Sequence, residues 1–322
     1  MLRAFLLFFL FPLTGFAQYT WVQADTAFGT LPKGVELFYS NDSLNGKSNK
    51  AFYCKIPLKK RNLFFTTQVG KGKRFTPSEF YQQNDQPFLV VNTTFFEFVN
   101  NRNLNAVVQD GKLVAYNVHS LPGRGKDTLT YRHAFASAIG ISKKRRADIA
   151  WLYTDSSQQY PLASQTVIPF FKDSNVLVNP TIFRSAHKLK KWKMQTAVAG
   201  GPVLIQDGQI RISNNEEIRF PGNQINDKHP RTAMGYTTDG YLIVMVVEGR
   251  NPGIAEGASL IQLARLLQSV GCIEALNLDG GGSSTMLING KETIKPSDKT
   301  GQRPVPAVWI ISSPKQGRMH QE

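Results

Sequence analysis

Ser259 to Gly290 reads SLIQLARLLQSVGCIEALNLDGGGSSTMLING. Apolar residues recur at 260, 263, 264, 267 and 270, with 261 and 266 beside them, which is the spacing of one wide apolar face of an α-helix. Ser259 with Gln262 makes a capping box that starts this helix, and Gly271 stops it. Cys272 to Leu278 is then a short apolar run of the kind a buried strand uses. The reading places Asp279 where a core strand ends and three consecutive glycines begin. Each glycine weakens a helix or strand by roughly 0.5–1 kcal/mol relative to Ala, so three together imply that something must come close to the backbone. Strand ends that open into glycine-rich loops are frequent ligand sites in mixed α/β proteins.

The last part of the stretch is one of four β-rich pairs joined by Asp-Gly or Asn-Gly. These are 106–116, 202–212, 233–247 and 284–294. Both dipeptides tolerate the positive φ of tight turns, so all four read as antiparallel hairpins. The expected fold is mixed α/β (α+β): a single domain with a largely antiparallel, hairpin-rich sheet and one helix, at about 259–270, packed against it. Residues 61–315 form the expected catalytic domain, 18–60 an N-terminal extension covering the sheet edge, and 316–322 a polar tail.

The chain has 322 residues, 41% hydrophobic and 19% charged, which is ample apolar material for a large core. Its first residues, MLRAFLLFFLFPLTGFAQ, carry Arg3, an apolar run from Ala4 to Leu13, and small residues at Gly15 and Ala17. That pattern reads as a signal peptide over 1–17, because the run is well short of the ~20 residues that span a bilayer. A secreted or periplasmic protein with no membrane anchor is expected. Cys54 and Cys272 are the only cysteines, and either a disulfide or two separate buried thiols fits them. His119, His133, His187, His229 and His320 have no zinc-ligand spacing. The formal charge of +15 favours an anionic partner: nucleic acid, acidic polysaccharide, membrane phosphate or a phosphodiester. Runs such as KKRR at 143–146 read as solvated loops.

The glycine loop fits none of three common motifs. No Lys comes after Gly282 as in a phosphate-binding P-loop, and the residues beyond it are strand-like rather than the helix a dinucleotide fingerprint opens. A serine-hydrolase elbow would need Gly where Thr285 stands, and the only His downstream is His320.

NLDGGGSSTM (277–286) resembles the signature of the phosphodiester glycosidase family. Further blocks match in the family's order: VNTTFF (91–96), VAGGPVLIQDG (198–208), HPRTAMGYTTDG (229–240), VVEGR (246–250) and PSDKTGQRPV (296–305). Together they extend from about Phe88 to Ile311. Thr93, Thr94, Glu248 and Gln302 depart from the residues most common in the family. The resemblance implies a hydrolase that splits a sugar-1-phosphodiester, of the N-acetylglucosamine-1-phosphate type, into free sugar and phosphomonoester.

Such a reaction passes through an oxocarbenium-like state and releases an anionic phosphate, so it needs a carboxylate, donors for phosphate, and in some enzymes an acid. Asp279 is the first candidate carboxylate, with Gly280, Gly281 and Gly282 presenting backbone N–H groups; the alternative is an Asp capping a turn. Glu248 is the second carboxylate, or else the partner of Arg250, and Glu97 is a weaker acid/base candidate. Arg231 offers a forked phosphate contact or a structural ion pair. Asn92 fits a sugar hydroxyl, the phosphate or a buried turn. Phe95 and Phe96 read as core. Strand alternation sends Ser284 to the face opposite Ser283 and Thr285, so Ser283 and Thr285 are the expected ligand contacts and Ser284 satisfies local backbone. Arg303 is a second phosphate donor. Asp279 with Glu248 could hold a divalent cation through oxygen ligands; no other cofactor is indicated. The expected partner is a glycan phosphodiester. A non-catalytic binder of anionic surface polysaccharide is the alternative, and nucleic acid is not expected, because no aromatic-basic platform accompanies the charge.

Overall fold

The structure is a computed structural model that describes residues 19–314. The leader-like segment and the polar tail lie outside the described residues. Strands dominate, and every pairing among the described residues is antiparallel. The largest sheet has eight strands in the order Val22–Gln23, Glu36–Ser40, Ala51–Pro57, Tyr241–Val247, Arg231–Thr237, Cys272–Asn277, Val203–Gln206 and Gln209–Ile210. A five-stranded sheet runs Lys291–Glu292, Met286–Ile288, Leu89–Asn92, Ala307–Ser312 and Phe64–Val69. A seven-stranded and a three-stranded sheet complete the fold.

All four expected hairpins form. In three of them both turn residues take positive φ: Asp110 and Gly111, Asp207 and Gly208, Asn289 and Gly290. This is the type I′ geometry whose twist matches the flanking strands. The helix Leu260–Ser269 carries its capping box in both directions: Gln262 N donates to Ser259 Oγ, and Ser259 N donates to Gln262 Oε1.

Strand Tyr241–Val247 shows how the core divides. Leu242, Val244 and Val246 pack into one apolar cluster, whereas Ile243, Met245 and Val247 pack into another with Leu260, Leu263 and Leu267 of the helix. Period-two alternation therefore feeds two cores from one strand, and the strand is apolar throughout because both its faces are covered. Each buried Leu of the helix contributes roughly 1.5–3 kcal/mol. Cys54 belongs to the first cluster and Cys272 to the second, so both remain free thiols, with burial pushing both thiol pKa values up.

The N-terminal extension, described from Tyr19, does more than lie over an edge. Ala51–Pro57 pairs along its whole length with Tyr241–Val247, so this segment adds three strands to the largest sheet. Arg145, inside the KKRR run, is not solvated as the run suggested. Its guanidinium donates to the backbone carbonyls of Leu58, Lys60 and Leu63 at 2.5–2.7 Å and stacks on Phe65. Glu217 is a second hidden link. Buried, it accepts hydrogen bonds from Ser137 N and Oγ, Trp151 Nε1, Val203 N and Ser213 Oγ, which joins the seven-stranded sheet to the eight-stranded one. It also anchors the segment that carries Phe220 to the pocket beside Asp279.

Candidate active site

Asp279 leaves strand Cys272–Asn277 at the place where strand Leu89–Asn92 of the five-stranded sheet ends. Asp279 N donates to Thr93 O at 2.8 Å, and Asn92 Nδ2 donates to Asp279 O at 2.7 Å. Asn92 Oδ1 accepts from the Thr232 hydroxyl at 2.8 Å and from Thr285 N at 3.1 Å. One buried amide thus clamps both ends of the glycine loop to two sheets. Asn92 serves the position of the loop and does not line the pocket beside it.

Gly281–Ser283 folds as a turn of 3-10 helix rather than as strand, and pairing resumes only at Met286. Gly281 has φ +60°, in the left-handed region, and its N–H donates to Pro230 O at 2.8 Å. At Gly282 a Cβ would overlap the Arg303 guanidinium, so the loop's bareness lets that arginine close over it. The alternation expected for Ser283 to Thr285 is therefore absent. Ser283 accepts from Arg303 Nη1 at 3.4 Å, and its hydroxyl favours the charged form of the Asp279 carboxyl. The hydroxyls of Ser284 and Thr285 are fully buried and have no hydrogen-bond partner among the described residues.

Above the loop lies a pocket of about 250 Å³, walled by Phe95, Phe220, Gln224, His229, Arg231, Arg250, Asp279, the three glycines and Arg303. Three arginines thus share one pocket with one carboxyl. Arg231 is buried, its Nε donating to Ala258 O and its Nη2 to Asp227 O, both at 2.8 Å, and its guanidinium lies 5.7 Å from the centre of the Phe220 ring. Desolvation lowers its pKa to about 10, which leaves it cationic at neutral pH. Arg303 is oriented by Asp298 Oδ2 at 2.7 Å and by the face of Phe98. Arg250 has its Nη2 3.0 Å from where a Cβ on Gly281 would stand, and it makes no ion pair among the described residues. Burial pushes the Asp279 carboxyl up to about 7, outweighing the Ser283 hydroxyl, the Arg303 charge and the Gly280 N–H, which all favour the charged form. His229 is lowered by burial and then by Arg231 and Arg250, so its imidazole is neutral at pH 7.

The site brings together Asp279, Gly280, Gly281, Gly282, Ser283, Arg231 and Arg303. Thr285 and Asn92 lie beneath it, as part of its support. Glu248 is elsewhere: buried, it accepts from Lys295 N at 3.0 Å and Asn251 Nδ2 at 3.3 Å and pairs with Lys50 at 3.7 Å, so its ion-pair partner is Lys50 and not Arg250. Glu97 pairs with Arg102 at 3.7 Å on a partly exposed loop. Neither lines the pocket. Phe96 is core as expected, whereas Phe95 forms a pocket wall. Among the described residues no group of three or more His, Cys, Asp or Glu side chains is placed to hold a metal ion.

Sequence reasoning passed over Phe220 and Gln224 of the pocket wall and, with more chemical consequence, Arg250 and His229. The last two sit in family-like blocks, HPRT and VVEGR, beside the candidates Arg231 and Glu248. Their adjacency to Asp279 arises only because strand Arg231–Thr237 pairs with Cys272–Asn277 on one side and with Tyr241–Val247 on the other.

Comparison with known proteins places the fold and the family. A stretch of 145 residues is 40% identical to the SPbeta prophage-derived uncharacterized protein YomE of Bacillus subtilis, covering 45% of this chain and 22% of that one. A stretch of 103 residues is 33% identical to N-acetylglucosamine-1-phosphodiester alpha-N-acetylglucosaminidase of Mus musculus, covering 30% of this chain and 20% of the enzyme. The matched stretches thus span about a fifth of each relative. The fold is shared with the catalytic domain of the zebrafish enzyme of that name, with TM-score 0.56 and 19% identity over 87% of this chain and 83% of that one. It is shared also with a putative exported protein of Burkholderia pseudomallei, with TM-score 0.57 and 15% identity over 85% and 75%. No helix among the described residues is long and apolar enough to cross a membrane. Residues 85–312 match the phosphodiester glycosidase family, and the chain belongs to it.

Proposed function

We propose that the protein is an exported hydrolase that cleaves a sugar-1-phosphodiester of the N-acetylglucosamine-1-phosphate type, with Asp279 as its catalytic carboxyl. The observation that carries this reading is one carboxyl, pushed up to about 7, facing Arg231, Arg250 and Arg303 in a single pocket. The arginines hold the phosphate and take up the charge that develops on it. Asp279 removes a proton from water as the water oxygen bonds to the anomeric carbon; the bond from that carbon to the bridging oxygen breaks, and the electron pair leaves with the phosphomonoester. Glycosidases usually employ two carboxyls, because a sugar alkoxide is a poor leaving group and needs an acid. A phosphate monoester is a good leaving group already, so one carboxyl with three cations suffices. A base with pKa near 7 is matched to neutral conditions. Neutral His229 is placed to hydrogen-bond the sugar or the phosphate.

The sugar assignment is supported by the activity for which the mammalian relatives are named, and export by the leader-like residues 1–17 together with the fold shared with a putative exported protein. A polysaccharide binder without activity has no need of a carboxyl held near neutrality inside a cationic pocket. Incubation of the purified protein with an N-acetylglucosamine-1-phosphodiester should release free sugar and phosphomonoester in equal amounts. Tight binding of a substrate that stays intact would reject the enzyme and favour the binder.

A further inference from the structure

A second and larger pocket, of about 640 Å³, lies on the other side of Phe220. Phe220 lines both cavities, so this residue is the partition between them. The partition is fixed in place: buried Asn214 donates from Nδ2 to Phe220 O and accepts at Oδ1 from Phe220 N, both at 2.9 Å. Asn214 belongs to the same segment as Glu217, which ties it to the two large sheets.

The far wall of the second pocket is basic. Arg132 lies in the middle strand of the three-stranded sheet, opposite Leu121 and Lys172. Its neighbour His133 is fully buried, so strand alternation turns Arg132 to the opposite, pocket-facing side. Arg132 Nε is buried and has no hydrogen-bond partner among the described residues. Arg124 stands in the loop after strand Ser120–Pro122 and lines the same pocket. The one carboxylate in the lining, Asp127, is neutralised by Lys172 at 2.7 Å. Two arginines are therefore left without a carboxylate partner among the described residues, and one carries a buried donor with nothing to bind. Desolvating a charged donor in this way is costly unless a ligand completes it.

Arg231 sets the relation between the two cavities, because its guanidinium lies over the Phe220 ring. A phosphate held by Arg231 would sit against the partition, so a group esterified to it that reaches past Phe220 would enter the second pocket. We propose that the second pocket is an anion subsite in which Arg124 and Arg132 bind a further phosphate carried on the aglycone, so that the preferred substrate is a glycan with more than one phosphate. This inference rests on the reading of the first pocket as a phosphodiester glycosidase site.

The test compares two sugar-1-phosphodiesters that share one sugar, the first with glycerol as aglycone and the second with glycerol phosphate. The protein should favour the second by about tenfold in kcat/KM through a lower KM, the size of one charge-assisted contact. Arg124→Gln with Arg132→Gln should abolish that preference and leave the glycerol substrate within about twofold of its original rate. Arg132→Lys, which keeps the charge, is expected to retain part of the preference, and it serves where the double variant melts early. Equal kcat/KM for the two substrates, or equal losses on both in the double variant, overturns the subsite. If neither substrate is cleaved, the catalytic reading fails by itself, and calorimetric binding of the two intact diesters judges the subsite. A tenfold tighter phosphorylated ligand, lost in the double variant, upholds it; equal affinities reject it.

Discussion

Replacing Asp279 by Asn removes a titrating carboxyl while keeping its size, so the stability difference between protein and variant isolates one group. Burial raises the carboxyl from 3.8 to about 7 in the folded state. A group whose folded pKa lies above its unfolded value stabilises fully below the unfolded pKa and loses that contribution as pH rises through the folded one. The protein should therefore match or exceed Asp279→Asn at pH 4, fall behind between pH 4 and 7, and reach a constant deficit above pH 8. At 1.36 kcal/mol per pKa unit the full excursion is about 4 kcal/mol. Solvent at the pocket mouth reduces it, giving an expected deficit on the order of 2–4 kcal/mol. Urea denaturation of both proteins from pH 4 to pH 9 measures the difference, in which titrating groups remote from the pocket cancel. A difference that stays flat with pH, or that grows in favour of the carboxyl as pH rises, would refute desolvation as the dominant influence on Asp279.

Asp279 as base predicts that kcat/KM rises with pH to a midpoint near 7; a fall above that point would assign the carboxyl the role of acid. Gly281→Val forces a branched side chain into φ +60° and against Arg250, which should raise KM and cost about 1–3 kcal/mol, read from steady-state kinetics and thermal melts. Arg231→Lys loses the fork held by Ala258 O and Asp227 O, and KM should rise about tenfold with a smaller change in kcat. Glu248→Gln weakens the ion pair with Lys50 away from the pocket, so melting should drop while kcat stays within a few-fold; a loss on the order of 10²-fold or more in kcat would make Glu248 catalytic.

The elements that were legible in the sequence are those set by neighbours along the chain. The helix Leu260–Ser269 shows its cap and its apolar face within a single short stretch, and three hairpins carry their positive-φ pairs as Asp-Gly or Asn-Gly. Asp279 was legible too, because a strand, a carboxylate and three glycines adjoin there. The features that stayed hidden depend on residues far away in sequence. Arg145 looks solvated until the carbonyls of Leu58, Lys60 and Leu63 are brought beside it. Glu217 draws its donors from positions as distant as Ser137, and Asn92 spans 187 residues to reach Asp279. Arg250 carries no local sign of facing the glycine loop; the sheet order alone puts it there. The serine run reads as strand because alternation is the default for β-rich sequence, and the left-handed Gly281 breaks that default with a 3-10 turn.

The central claim is that water attacks the anomeric carbon and leaves the phosphorus untouched. Hydrolysis of an N-acetylglucosamine-1-phosphodiester in water enriched in oxygen-18, with mass spectrometry of the phosphomonoester, tests it directly. Cleavage at the anomeric carbon leaves the bridging oxygen on phosphorus, so the phosphomonoester should carry no label and the released sugar should carry it. Label in the phosphomonoester would show attack at phosphorus, and would contradict the roles given to Asp279 and the three arginines.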